Sequence, residues 1–215
     1  MAAEIRPIKS SEEMLAVQRQ RYATYINELK YPDPHADHAN RTIVEPQDTT
    51  GTTLGAFMGD ALIGSVRISY RDFGEYGDLP SVRRFGPYFP DRLMLITKMV
   101  IEPPYRSGTL LARFGVELYR HTIAAHPETI FGVMSCVPSL QGFFLRFGYR
   151  PIGPAFHHSY AGMTVPMAVA LYDLHHFRRS GSTVVKLCPR HDVESSDWFA
   201  RTFAAEFESD ACTSA

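Results

Sequence analysis

The sequence has little cysteine, a single tryptophan and almost no net charge. Its three cysteines among 215 residues, Cys136, Cys188 and Cys212, are widely spaced and odd in number, which fits neither a disulfide framework nor a zinc knuckle. A reducing, cytoplasmic setting is the expectation. With 22 basic against 23 acidic residues the formal net charge is -1, so the global balance gives no basis for a nucleic-acid partner or a membrane surface. Nowhere is there an apolar run long enough to span a bilayer, and Met1-Ala2-Ala3-Glu4-Ile5-Arg6 lacks the apolar core of an export signal. There is no internal repeat or low-complexity tract. What remains is a chain able to bury a proper core, expected as one domain over residues 1–190 followed by a helix and flexible tail over 191–215.

Along the chain, Glu4 to Lys9 predicts a short strand, and Ser10-Ser11-Glu12-Glu13 predicts a capped helix running to about Lys30 with Met14, Leu15, Val17, Tyr22, Tyr25 and Leu29 as its apolar positions. The next stretch, 31–51, is polar and broken by three prolines. Its acids and histidines, Asp33, His35, Asp37, His38, Glu45 and Asp48, match no standard metal-ligand spacing, so no metal is expected and the stretch reads as a solvated lid. Thr52–Met58 and Ala61–Tyr70 are β-rich runs joined by Gly59-Asp60, a hairpin signal. An irregular excursion over 71–92 follows. Further on, Thr129–Val137 and Val165–Tyr172 read as strands, and Ser139–Phe147 as a helix stopped by Gly148.

The most informative stretch is Leu93 to Arg120. An apolar β-like run ends in Glu102-Pro103-Pro104-Tyr105-Arg106-Ser107-Gly108, and an amphipathic helix begins at Thr109. Two prolines cannot donate to a sheet ladder, so the strand ends sharply, while the first turn of the helix keeps its unpaired N–H donors. An Arg/Gly turn at that point forms an anion seat suited to a pyrophosphate or a phosphopantetheine arm. Any strand–turn–helix of an α/β protein shares the outline.

This segment resembles the acyl-donor motif of the Gcn5-related N-acetyltransferase (GNAT) superfamily, here with only one glycine in Arg106-Ser107-Gly108-Thr109-Leu110. Phe143 to Arg150 resembles that superfamily's fourth-helix ending, with Phe144 where many members place a proton-donating tyrosine. The order of elements over roughly Ile5 to Thr183 agrees. More specifically, Arg21-Tyr22-x-x-Tyr25, Gly64-Ser65-Val66-Arg67, Thr97-Lys98-Met99-Val100, Phe156 to Gly162, Pro166-Met167 and Leu171 to Phe177 are similar to long-chain N-acyl amino acid synthases, relatives of the acyl-homoserine lactone synthases. Lys98 and Leu95 stand where lactone synthases carry an arginine and an acid, which makes a lactone product the poorer expectation. The resemblance implies an α/β (α+β) fold, a mixed, splayed β-sheet flanked by helices. It also implies fatty acyl transfer from acyl carrier protein to an amine of an amino acid or peptide.

Direct attack on a thioester needs a neutral amine, polarisation of the carbonyl and a route for protons. In a GNAT-like fold, Val100 and Ile101 would offer backbone N–H groups to the carbonyl, and Arg106, Ser107, Gly108, Thr109 and Leu110 would hold the donor arm. Glu102, just past the strand, is the first candidate base; a structural partner for an arginine is its other reading. His158, beside a glycine turn, is the second, with strand capping as its alternative. Arg21 and Arg67, with Tyr25, are candidates for the acceptor's carboxylate, and structural ion pairs fit the two arginines as well. Met94, Phe131, Met134 and Phe144 are candidates for an acyl pocket, although ordinary core would use the same residues. Arg106, Arg113, Arg120, Arg146 and Arg150 would form the basic mouth that an acidic carrier protein seeks. No permanently bound cofactor is expected, only acyl-phosphopantetheine on its carrier or acyl-coenzyme A as co-substrate. Two other readings remain open: an acetyl- or short-acyl-coenzyme A N-acyltransferase, and a catalytically silent module that binds a carrier or fatty ligand.

Overall fold

A computed structural model describes residues 3–106, 108–158 and 161–207. In chain order its elements are β1 (Glu4–Pro7), α1 (Ser11–Tyr22), a π-helical segment (Ala23–Glu28), β2 (Ala36–Asp37), β3 (Thr42–Ile43), α2 (Gln47–Thr50), β4 (Thr52–Met58) and β5 (Ala61–Tyr70). Then come α3 (Pro80–Arg83), β6 (Leu93–Ile101), α4 (Thr109–Ala125), β7 (Phe131–Cys136), α5 (Pro138–Phe147), β8 (Arg150–Pro151), β9 (Phe156–His158), β10 (Gly162–Ala170), α6 (Leu174–Arg179) and α7 (Val193–Thr202). The strands form a large mixed sheet in the order β1-β4-β5-β6-β7-β10-β8, with β9 paired to β10 and β2 paired to β3 separately.

The chain divides into two compact units, Met1–Asp72 with Ile96–Leu118, and Phe73–Leu95 with Tyr119–Ala215. In the first, Ser10 caps α1 by accepting from the Glu13 N–H at 3.1 Å, and Glu12 and Glu13 lie in its first turn. Gly59 takes φ +60° between β4 and β5, the left-handed turn that lets these strands pair antiparallel from Thr52↔Ile68 to Met58↔Ala61. At Gly64 on β5, a Cβ would lie 2.9 Å from the Val100 carbonyl oxygen and 3.0 Å from the Phe114 ring. Only glycine lets the backbone come that close.

The second unit is held by an aromatic core in which Phe85, Phe131, Phe199 and Phe203 have no exposure. Full burial of each such side chain contributes about 1.5–3 kcal/mol. The closing helix α7 is thus part of this unit's core; the expected frayed end, 209–215, lies outside the described residues. The parallel ladder of β6 with β7 has only three pairs, Leu93↔Phe131, Met94↔Gly132 and Leu95↔Val133. Both strands continue past that point, β6 to Ile101 and β7 to Cys136, while β7 pairs with β10 along its whole length. This early end of pairing is the splay expected of the fold.

Two expectations change. The inward face of α1 is not the apolar set: Leu15 and Leu29 are exposed, while Val17, Gln20, Arg21 and Tyr22 are buried. Three of these four are hydrogen-bonding side chains, so the helix is held inward by polar partners as well as by apolar contact. The stretch 31–51 is not a solvated lid either. It carries β2, β3 and α2, and Asp33, Glu45 and Asp48 are buried in ion pairs.

Candidate active site

Six ionic side chains of the first unit form a continuous buried chain of alternating sign. Asp33 accepts from Lys98 Nζ at 2.8 Å, and Lys98 is 3.2 Å from Glu45. Glu45 is 2.7 Å from Arg67 Nη1, which also lies 3.1 Å from Asp48. Asp48 accepts from Arg21 Nη1 through both carboxylate oxygens, at 2.7 and 2.9 Å. None of the six side chains is more than 8% exposed. Burial pushes the Asp48 carboxyl up, but the charge and hydrogen bonds of Arg21, the Glu45 backbone N–H and the charge of Arg67 outweigh it and leave the group below its usual range.

Backbone geometry brings these groups together. In a regular strand, successive side chains point to opposite faces. On β6, however, Thr97 accepts from Arg67 Nε at 3.2 Å while the adjacent Lys98 reaches Glu45, the partner of that same arginine. Lys98 has φ +52°, a left-handed conformation that breaks the alternation and turns two consecutive side chains to one cluster. At the end of α1, the π-helical segment adds a residue to the turn and carries Tyr25. Its hydroxyl donates to the Met99 carbonyl at 3.4 Å, its ring stacks on Tyr31 at 6.0 Å, and Lys98 Nζ lies 5.1 Å from the ring centroid. Tyr22 turns the other way, into the core, with its hydroxyl 2.9 Å from His38 Nδ1.

Glu102 follows β6 directly and is half-buried. Its backbone N–H donates to the Ile63 carbonyl at 3.0 Å, and its Oε1 accepts from Gln20 Nε2 at 2.9 Å. Val100 is buried and Ile101 half-buried. Arg106 donates from Nε to the Ile101 carbonyl at 2.7 Å and holds Glu28 bidentately, which raises the guanidinium and lowers the carboxyl. Gly108 has φ +87° with open space where a Cβ would sit, and its carbonyl accepts from the Ala112 N–H at 3.0 Å to start α4, where Thr109 and Leu110 form the first turn. Ser107 lies outside the described residues.

Several predicted site residues belong to the second unit. His158 ends β9, pairs in register with Gly162, and sits 5.7 Å from the Tyr76 ring. Phe131 is enclosed by Phe85, Tyr88, Trp198 and Phe199 at 5.1 to 5.6 Å, and Met94 is also without exposure. Met134 and Phe144 keep 8% and 9%. A groove of about 390 Å³ in this unit is lined by residues of α5, β8 and β10 and by Ala205, but by none of these four. Arg150, expected at a basic mouth, is instead engaged internally: its side chain pairs with Asp173 at 3.3 Å and packs over Phe199 and Phe207. Among the described residues no group of three or more His, Cys, Asp or Glu side chains could hold a metal. No described helix is long and apolar enough to cross a membrane.

Sequence reasoning singled out Arg21 and Arg67 but missed Glu45 and Asp48 as their partners, missed the Lys98–Asp33 pair that continues the chain, and missed Gln20. The available signal was the pair of arginines within otherwise inward-facing elements. Each needs an acid, and 31–51 is where the nearby acids are concentrated.

Comparison with known proteins adds three findings. Residues 16–173 match the family described as N-acyl amino acid synthase FeeM. An L-ornithine N(alpha)-acyltransferase of Rhodobacter capsulatus is 25% identical over 177 residues, 75% of this chain; the match spans 65% of that relative's length. Among solved structures, FeeM, an N-acyl amino acid synthase from uncultured soil microbes, superposes with a TM-score of 0.65 at 17% identity, covering 86% of this chain and 97% of that one. BjaI, a coenzyme A-dependent acyl-homoserine lactone synthase solved with SAM and isopentyl-CoA, gives a TM-score of 0.65 at 13% identity over 85% and 92% of the two chains.

Proposed function

This chain belongs to the N-acyl amino acid synthase FeeM family, and on that premise we propose that it moves a medium or long fatty acyl group from acyl carrier protein to the amine of an amino acid or peptide. The observation that carries the reading is the family match over 16–173 together with a pinned carboxylate, Glu102, between β6 and the donor turn. The relative named for ornithine Nα-acylation supports an amino acid as acceptor. A donor presented on a carrier protein is supported by the single glycine of the turn and by an Arg106 already engaged with Glu28, which leave little built for a free pyrophosphate.

In this mechanism Glu102 takes a proton from the acceptor ammonium, directly or through one water. The neutral nitrogen attacks the thioester carbon, the N–C bond forms, and collapse of the tetrahedral intermediate breaks the C–S bond. As the intermediate collapses, the nitrogen's second proton passes through water to the departing thiolate, so the nitrogen ends as a neutral amide and the leaving group as a thiol. Val100 and Ile101 are assigned to the carbonyl oxygen, and Arg106 to Leu110 to the donor arm. Tyr25 is assigned to the acceptor, while Arg21 and Arg67, closed off by Asp48, hold the scaffold beneath it.

Incubating the protein with acyl carrier protein thioesters of graded chain length, or the matching coenzyme A thioesters, plus pooled amino acids tests the reading by mass detection of the amide. A long-chain amide from the carrier-bound donor is expected. Product from short-chain coenzyme A thioesters alone would move the assignment to that donor class. No amide with any donor would leave a silent binding module.

A further inference from the structure

We infer that Gln20 is a positioning residue for Glu102, and that Ser65 fixes which way Gln20 faces; the inference rests on the reading of Glu102 as the base. Gln20 is 6% exposed and Ser65 not at all. Gln20 Nε2 donates to Glu102 Oε1 at 2.9 Å, and Ser65 Oγ donates to Gln20 Oε1 at 2.9 Å. The chemistry leaves one arrangement. An ionised carboxylate only accepts, so the amide must turn its NH2 to Glu102. Its C=O then faces Ser65, whose hydroxyl is the group able to donate there. The three side chains come from α1, β5 and the end of β6, so each is anchored by a different element.

A neutral donor suits this task. It holds one oxygen of the anion in place without cancelling its charge, as an arginine or lysine would. Oε2 makes no hydrogen bond among the described residues and is left to take the proton. Glu102's backbone is pinned through Ile63 as well, so the carboxylate is held at both ends of its side chain. Burying two polar side chains on α1 and β5 without such partners would destabilise the fold, and a leucine at position 20 would serve packing alone.

The test uses the full chain with Gln20→Leu, Ser65→Ala, Glu102→Gln and the double variant Gln20→Leu/Glu102→Gln, each checked for folding by thermal melting. With palmitoyl-acyl carrier protein and L-ornithine, Gln20→Leu is expected to lower kcat about 10- to 100-fold while the acceptor KM stays within about twofold. Ser65→Ala lowers kcat in the same direction by less. In the Glu102→Gln background, Gln20→Leu costs nothing further. Additive losses would overturn the positioning role; an unchanged kcat in Glu102→Gln would instead overturn the base itself.

A substrate-free arm follows the Glu102 carboxyl by carbon-13 NMR, its resonance identified by its loss in Glu102→Gln. Its chemical shift at one fixed pH is expected to change in Gln20→Leu, or in Ser65→Ala where Gln20→Leu does not fold. An unmoved resonance refutes the clamp whatever the acceptor proves to be.

Discussion

Replacing Asp48 by asparagine removes one negative charge from between two cations. The side chains of Arg21, Arg67 and Asp48 are 0%, 4% and 4% exposed, so water cannot take over the lost pairing. Asparagine keeps a single acceptor oxygen where Asp48 now receives two bonds from Arg21, one from Arg67 and one from the Glu45 N–H, and it turns an NH2 toward a guanidinium. Breaking a buried ion pair by removing one partner costs about 3–5 kcal/mol. For a chain of this length that corresponds to a fall in Tm of roughly 6–20 °C. Differential scanning calorimetry of Asp48→Asn beside the parent measures it directly, with the transition assigned to the first unit where two are resolved. Adding Arg21→Met to Asp48→Leu should recover part of the loss, since the uncompensated charge goes with it. A loss under about 1 kcal/mol, the size of an exposed pair, would refute the claim that these charges are shut off from solvent. The acid side follows from the same group. Its folded value lies below the usual 3.8, so Asp48 stabilises the fold above that pH, and the contribution disappears as pH falls further.

Three other outcomes are expected. His176 is lowered to about 4 by burial, then by the charge of Arg150, so it stays neutral in the fold while the unfolded chain takes a proton below about 6.5. Stability should therefore fall between those values by on the order of 2–3 kcal/mol, and urea titrations of His176→Gln should show a flatter slope there. Gly64→Ala puts a methyl against the Val100 carbonyl and Phe114, which should destabilise by about 1–3 kcal/mol; an unchanged urea midpoint would contradict that spacing. Glu102→Gln should lower kcat by about 10²–10⁴ with its melting temperature nearly kept, measured by single-turnover amide formation.

Much of the fold was legible because its signals are local. The Pro103-Pro104 stop, the Gly59 turn, the Ser10 cap and Gly148 at the end of α5, with φ +99°, each act within a few residues. The place of Glu102 was legible too, since it had only to lie next after the strand. The buried charge chain was not. Asp33 and its partner Lys98 are 65 positions apart, and a proline-broken run of acids carries no mark of where its cations lie. Lys98 was misleading for a further reason: strand periodicity sends it opposite Thr97, and only its left-handed backbone undoes that. The inward side of α1 was misjudged because hydrophobicity was the guide, whereas Gln20 and Arg21 are drawn in by partners on other elements.

The three acids and three bases of the buried chain cancel. An approaching substrate therefore senses almost no field from them at a distance, yet altering any single member exposes its neighbours' charge in full. A single exchange in this chain leaves a neighbouring charge buried and unpaired, so a tolerated change is expected to replace an acid and its base together.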